Sequence, residues 1–158
     1  MLKPKSPTTN YQLPTTKFHG FTLIELLVAA TIAIILTTIG IVSYQSAMRK
    51  SRNGKRKADL EQIRAALEMY RSDCGSYPAS ISFGGSLVGG KDECSGNTYM
   101  QEVPQDPRYS TYEYSYTKSS DSYVLCAYLE GESADLGCSS VSCGSCGDQS
   151  CNYKVCPP

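Results

Sequence analysis

The chain has no tryptophan and one histidine in 158 residues, and its polar side chains contain no obvious catalytic set. An enzyme is therefore not the expected reading. No proline stands between Pro14 and Pro78, so nothing there forbids a continuous helix. Residues 1–57 contain a single acid, Glu25, against nine basic side chains, whereas residues 58–158 carry fourteen acids and six bases, a net of −8. The formal neutrality of the whole chain hides this asymmetry. Apart from Glu25, no charge interrupts residues 21–42, which excludes a uniformly water-soluble globule. No cysteine precedes Cys74, yet eight fall in the last 85 residues, and twelve tyrosines argue against a disordered acidic chain. Such a cysteine density points to a small domain held by bridges in an oxidising, extracytoplasmic compartment.

Four segments follow from these contrasts. Residues 1–20 are polar and rich in Pro and Thr, unable to bury a core, and read as flexible. Residues 21–44 form an apolar run long enough to span a bilayer. In residues 45–73, Leu60, Ile63, Leu67 and Tyr70 recur at steps of three and four, one stripe of an amphipathic helix. A single helix over residues 21–72 would extend roughly 78 Å, weakened at Gly40 and Gly54 and stopped by Cys74-Gly75 and Tyr77-Pro78. Residues 74–158 form the head. There TYEYSYT (111–117) and SYVLCAYL (122–129) read as strands joined by a turn at 118–121, and the Gly/Ser/Cys-rich tail reads as irregular, bridge-held chain. The expected class is α+β: a long N-terminal helix on a small antiparallel head with a disulfide-rich tail.

The sharpest signal is a carboxylate at the fifth position of the apolar run, in Gly20-Phe21-Thr22-Leu23-Ile24-Glu25. An isolated carboxylate in hydrocarbon costs at least ~2.5 kcal/mol, so it demands a cation. Cleavage after Gly20 would create an α-amino group at Phe21 and give each subunit one buried cation and one buried anion. GFTLIELLVAATIAIIL resembles the class III prepilin signal of type IV pilins and type II secretion pseudopilins. The resemblance implies cleavage between Gly20 and Phe21 by a prepilin peptidase, N-methylation of Phe21 and an assembly role for Glu25. It also implies a structural subunit of a pilus or pseudopilus, in the cytoplasmic membrane with its head outside. The implied partners are copies of itself, other pilins or pseudopilins, the peptidase and the inner-membrane assembly platform. Tyr77-Pro78 and Pro104-Gln105-Asp106-Pro107 look like the corresponding landmarks of major pseudopilins. Arg108-Tyr109 departs from the Trp-Gly usual there, and Val42 from the proline of many type IVa pilins.

Other constellations have more than one reading. Six basic residues between Arg49 and Lys57 outnumber the Lys3, Lys5 and Lys17 that precede the apolar run, against the positive-inside rule for an external head. They fit a solvated face or lipid headgroups, the acidic head of a neighbouring subunit, or the phosphates of nucleic acid. Cys74 and Cys94 bracket one loop, Cys126 sits in a strand, and Cys138, Cys143, Cys146, Cys151 and Cys156 offer several pairings. Cys143 and Cys146 also form a C-x-x-C knuckle, compatible with zinc in a cytosolic head of a single-pass protein, or with redox chemistry. Family resemblance further implies calcium after the hairpin, where Glu130, Glu132 and Asp135 are the candidate ligands and a solvated acidic loop is the alternative. No other cofactor is implied. Tyrosines 109, 112, 114, 116, 123 and 128 read as half-buried packing or as an adhesive face.

Overall fold

A computed structural model describes residues 20–90, 94–135, 137–138 and 142–158. The rest of the leader, with Lys3, Lys5 and Lys17, lies outside the described residues. The chain separates into two compact units, residues 1–41 and 42–158.

Helix α1 is Leu23–Cys74, 52 residues. It starts where Thr22 caps it: the Glu25 amide donates to Thr22 Oγ1 at 3.3 Å and the Leu26 amide to the Thr22 carbonyl at 3.2 Å. It ends where Gly75, at φ 73°, turns the backbone and donates its amide to the Arg71 carbonyl at 2.8 Å. Within the first unit the helical residues are exposed. The threonine hydroxyls there close on their own helix: Thr31 donates to the Val28 carbonyl, Thr37 to Ala33 and Thr38 to Ile35. Such back-bonding satisfies the hydroxyls without water, as hydrocarbon surroundings require.

In the second unit the stripe Leu60, Ile63, Leu67, Tyr70 and Cys74 is buried in a core shared with Tyr77, Tyr114, Tyr123, Leu125, Ala127 and Val155. The strands are short: β1 (Leu87–Val88), β2 (Thr98–Met100), β3 (Ser115–Ser119), β4 (Ser122–Ala127), β5 (Ser145–Cys146), β6 (Gln149–Ser150) and β7 (Tyr153–Val155). The named strands pair antiparallel: β1 with β2, β5 with β6, and the three-stranded order β3-β4-β7. The β3–β4 hairpin turns through Ser120 and Asp121, between the partners Ser119 and Ser122. Strand β4 is buried on both faces. Tyr123, Leu125 and Ala127 join the helix-side core, while Val124 and Cys126 join a second cluster with Cys143, Cys146 and Cys151.

Two features differ from the sequence reading. The first strand of the hairpin, β3, begins at Ser115 rather than at Thr111, because residues 108–112 are spent on a turn. There the Tyr112 amide donates to the Arg108 carbonyl, and the Thr111 carbonyl accepts from the Asp148 amide at 3.2 Å. Gly147, at φ 71°, makes that approach possible, since a Cβ would collide with the Thr111 carbonyl. The tail is also less irregular than expected. Its β7 adds a third strand to the main sheet, with Leu125 opposite Val155 and Ala127 opposite Tyr153.

All eight cysteines are bridged, Cys74–Cys94, Cys126–Cys143, Cys138–Cys156 and Cys146–Cys151, with Cα–Cα distances from 5.1 to 6.0 Å. A small head with a limited core depends on such constraints. Replacing Cys74 and Cys94 together by serine, whose bridge spans a sequence separation of 20, is expected to cost about 3 kcal/mol. Denaturant unfolding of the detergent-solubilised chain measures this, and an unchanged midpoint would mean the bridge contributes nothing.

Candidate functional site

The first candidate site is the start of α1. Gly20 and Phe21 are exposed and precede the helix, and Thr22 caps it. Thr22 and Glu25 stand in the T-x-x-E spacing of a capping box, a signal that the prepilin reading alone does not use. Glu25 lies in the first turn, where the helix dipole favours negative charge. Around it Phe21, Leu23, Ile24 and Leu26 are 60 to 79 % exposed. Among the described residues no cation comes within ion-pair distance of Glu25. The segment is long and apolar enough to cross a membrane, and none of it is buried within the chain.

The second site is a charge cage in the other unit. Asn53 and Arg56 continue the buried stripe of α1 backward from Leu60, at steps of three and four, and both are buried. The Arg56 side chain is 0 % exposed. Its Nε donates to Asp106 Oδ2 at 2.6 Å and its Nη2 to Asp106 Oδ1 at 3.0 Å. Nη1 donates to Asn53 Oδ1 and to Glu130 Oε1, both at 3.0 Å. Arg52 forks onto the same Glu130, Nε to Oε1 at 2.8 Å and Nη2 to Oε2 at 2.7 Å. Lys57 reaches Glu132 Oε2 at 2.9 Å. Two asparagines fix the loop backbone. Asn53 donates to the Glu130 carbonyl at 3.0 Å and accepts from the Glu130 amide, while Asn152 holds the Leu129 amide and carbonyl and the Glu132 carbonyl. The Arg56 and Arg108 guanidiniums each lie 5.2 Å from the centre of the Tyr112 ring.

Hydrogen bonds from Arg52, reinforced by Arg56 against the opposing effect of burial, hold the Glu130 carboxyl down to about 2. The Lys57 ammonium and Asn53 lower Glu132 against the same opposing effect. Burial raises Asp59, whose carboxylate accepts the Tyr114 hydroxyl at 2.9 Å. Burial also raises Tyr114 and Tyr123, which donate hydrogen bonds to Asp59 and Glu68.

This geometry revises several expectations. The basic cluster is not simply a solvated or partner-facing surface: Arg52, Arg56 and Lys57 are paired within the chain. Among the described residues no ion pair engages Arg49, Lys50 or Lys55. The C-x-x-C pair is not a zinc knuckle or redox dithiol, since Cys143 is bonded to Cys126 and Cys146 to Cys151. Two of the three calcium candidates, Glu130 and Glu132, are engaged within the chain. Glu130 and Glu132 already accept hydrogen bonds on all four carboxylate oxygens, from Arg52, Arg56, Asn53 and Lys57. Asp135 is exposed and joins the backbone of Asn152 and Lys154. Among the described residues no three His, Cys, Asp or Glu side chains converge on one point. The tyrosines are mainly packing. Tyr114 and Tyr123 are buried, Tyr112, Tyr116 and Tyr128 half-buried, and Tyr109 exposed.

The comparisons with known proteins agree with the N-terminal pattern. Residues 15–41 match the prokaryotic N-terminal methylation motif. Residues 43–138 match the family model described as type II secretion system protein G. The chain belongs to the type II secretion protein G family. Among relatives, it is 32 % identical to the type II secretion system core protein G of Pseudomonas aeruginosa, over 60 % of this chain and 71 % of that one. It is 29 % identical to the core protein G of Klebsiella pneumoniae, over 60 % and 72 %. A probable minor fimbrial protein of Dichelobacter nodosus is 30 % identical over 58 % of this chain and 54 % of its own. Among solved structures, none matches. This pseudopilin therefore has the family's apolar first helix and an α+β head, with four disulfides in its C-terminal region.

The cage makes stability pH-dependent with a defined sign. Glu130 has a folded pKa below that of an ordinary carboxylate, so its contribution is complete above about pH 4.3 and is lost as pH falls toward 2. Asp59 has the opposite sign and gains as pH falls. Acid titration of the unfolding midpoint should show a loss of at most about 3 kcal/mol from Glu130. Glu130→Gln should flatten that acid limb. An unchanged limb in the variant would refute the assignment.

Proposed function

We propose that this chain is a structural subunit of a type II secretion pseudopilus, cut by a prepilin peptidase between Gly20 and Phe21, N-methylated at Phe21 and polymerised through α1. The observation that carries the reading is an apolar helical segment, unburied within its own chain, that starts with one carboxylate for which no described residue supplies a cation. Such a surface needs lipid before assembly and neighbouring helices after it. On this reading residues 1–20 are the leader, 21–44 the membrane and assembly half of the helix, 45–73 its amphipathic half and 74–158 the head. The partners are the peptidase, the inner-membrane assembly platform and other pseudopilins. Four disulfides support an extracytoplasmic head anchored by a single span in the cytoplasmic membrane. The role is structural rather than enzymatic. The fimbrial relative favours one second reading, a pilus subunit, but its match covers a smaller share of that protein than the protein G matches do of theirs.

Gly20 offers the peptidase a backbone with no side chain in the way. Replacing it with a bulky residue should abolish maturation, seen as retention of the full-length mass in cells with the peptidase. A mature N-terminus other than Phe21 would overturn the processing site.

Glu25 is assigned to pair with the Phe21 amino group of an adjacent, already assembled subunit. Glu25→Ala and Glu25→Gln should both insert in the membrane and be cleaved, yet fail to enter filaments. An unpaired buried charge costs several kcal/mol, and neither variant neutralises its neighbour's amine. The readout is the ratio of membrane-retained to sheared filament protein, with cleavage scored on the same samples. Normal filaments from the Gln variant would exclude charge pairing as the driving interaction.

A further inference from the structure

We infer that in this chain side-chain cations and amides take the place that calcium would hold after the hairpin, so that the head folds and keeps its 129–135 loop independently of calcium. A calcium site needs six to eight oxygens free to turn their lone pairs inward. In this loop the carboxylate oxygens of Glu130 and Glu132 and three main-chain carbonyls are committed. Glu130 Oε1 accepts from both Arg52 and Arg56, and Oε2 accepts from Arg52. Glu132 Oε1 accepts from Asn53 and Oε2 from Lys57. The main-chain carbonyls of Leu129, Glu130 and Glu132, which would complete a coordination shell, accept from Asn152 and Asn53.

Charge argues the same way. A divalent cation among these oxygens would sit beside the guanidiniums of Arg52 and Arg56, both within 3.0 Å of Glu130, with Arg108 at 3.7 Å. Repulsion at such separations opposes a metal beside Glu130, whose side chain is 10 % exposed. The guanidiniums already supply what the metal would, namely positive charge facing two acids and a fixed loop geometry. Their planar forks match carboxylates, and Arg56 adds a link to Asp106 that a metal bound in the loop alone would not make. The chemistry is set by Asn53 and Arg56 on the buried helix stripe, positions where an amphipathic helix ordinarily carries apolar residues.

The test uses the full chain in detergent, oxidised, with calcium chloride as the probe. Thermal unfolding in millimolar calcium and in EGTA should give the same midpoint, and calorimetric titration should show no saturable heat. A site filled at a hundred times its Kd would instead raise the midpoint by roughly 10 °C, which would overturn the inference. Glu130→Gln removes the anion facing Arg52 and Arg56 while keeping the side chain's shape. It should lower the midpoint by the same several degrees with and without calcium. A variant as stable as the wild type would show that the cage does not hold the loop. Arg52→Gln, at the more exposed edge of the cage, should give a smaller loss in the same direction, and an increase in stability would also refute the role. Filament formation is not read in any arm, so these outcomes stand apart from the assembly proposal.

Discussion

The head depends on one buried guanidinium. Arg56 lies at 0 % exposure in the middle of a helix, where a charge without partners would cost several kcal/mol. It is matched on one side by both oxygens of Asp106 and on the other by Asn53 and Glu130. Three segments remote in sequence therefore have to meet at one point. Asp106 in turn accepts the Arg108 amide at 2.8 Å, which fixes the turn that delays β3 to Ser115. Glu130 carries the chain out of β4 and back toward the tail. Removing one partner would leave the others buried and charged, so the cage behaves as a unit rather than as a sum of pairs.

Strand β4 is the second organising element. One face closes the helix-side core and the other meets the bridged tail. In a small head a single helix-on-sheet layer buries little, and a sheet of short strands leaves its outer face wet. The tail covers that face with sulfur and two short strands, and Cys126–Cys143 ties it to the strand it covers. This is why Val124 and Cys126, outward by strand alternation, are nonetheless buried.

Much of this plan was legible in the residues. The period of Leu60, Ile63, Leu67 and Tyr70 marks the buried face of the helix, Gly75 marks its end, and the eight late cysteines mark a bridged head. The charge cage was not legible as a cage. Its pairs are separated by 50 and 74 residues, and nothing local tells Arg52 or Arg56 from Arg49. A usable hint was present, since Asn53 and Arg56 fall on the apolar stripe, where a polar residue needs a buried partner. Strand β7 escaped for a different reason. Three residues between cysteines are too short for an alternation signal, and their pairing is set by the neighbouring β4 rather than by their own propensity.

The two units treat charge in opposite ways, and the contrast bears on what the chain is for. In residues 42–158 the buried charges are matched internally: Arg56 by Asp106 and Glu130, and Asp59 by the Tyr114 hydroxyl. Among the described residues there, no buried side-chain nitrogen or oxygen lacks a hydrogen-bond partner. A unit so balanced has no electrostatic need of another molecule to fold. In residues 20–41 the threonines are satisfied by their own helix, yet Glu25 has no cation among the described residues and its apolar neighbours have no cover. In hydrocarbon a group from another chain or a new amino terminus would relieve that imbalance. One unit thus matches its buried charges internally, while the other leaves a carboxylate and an apolar surface without partners among the described residues, as the proposed role in a filament would need.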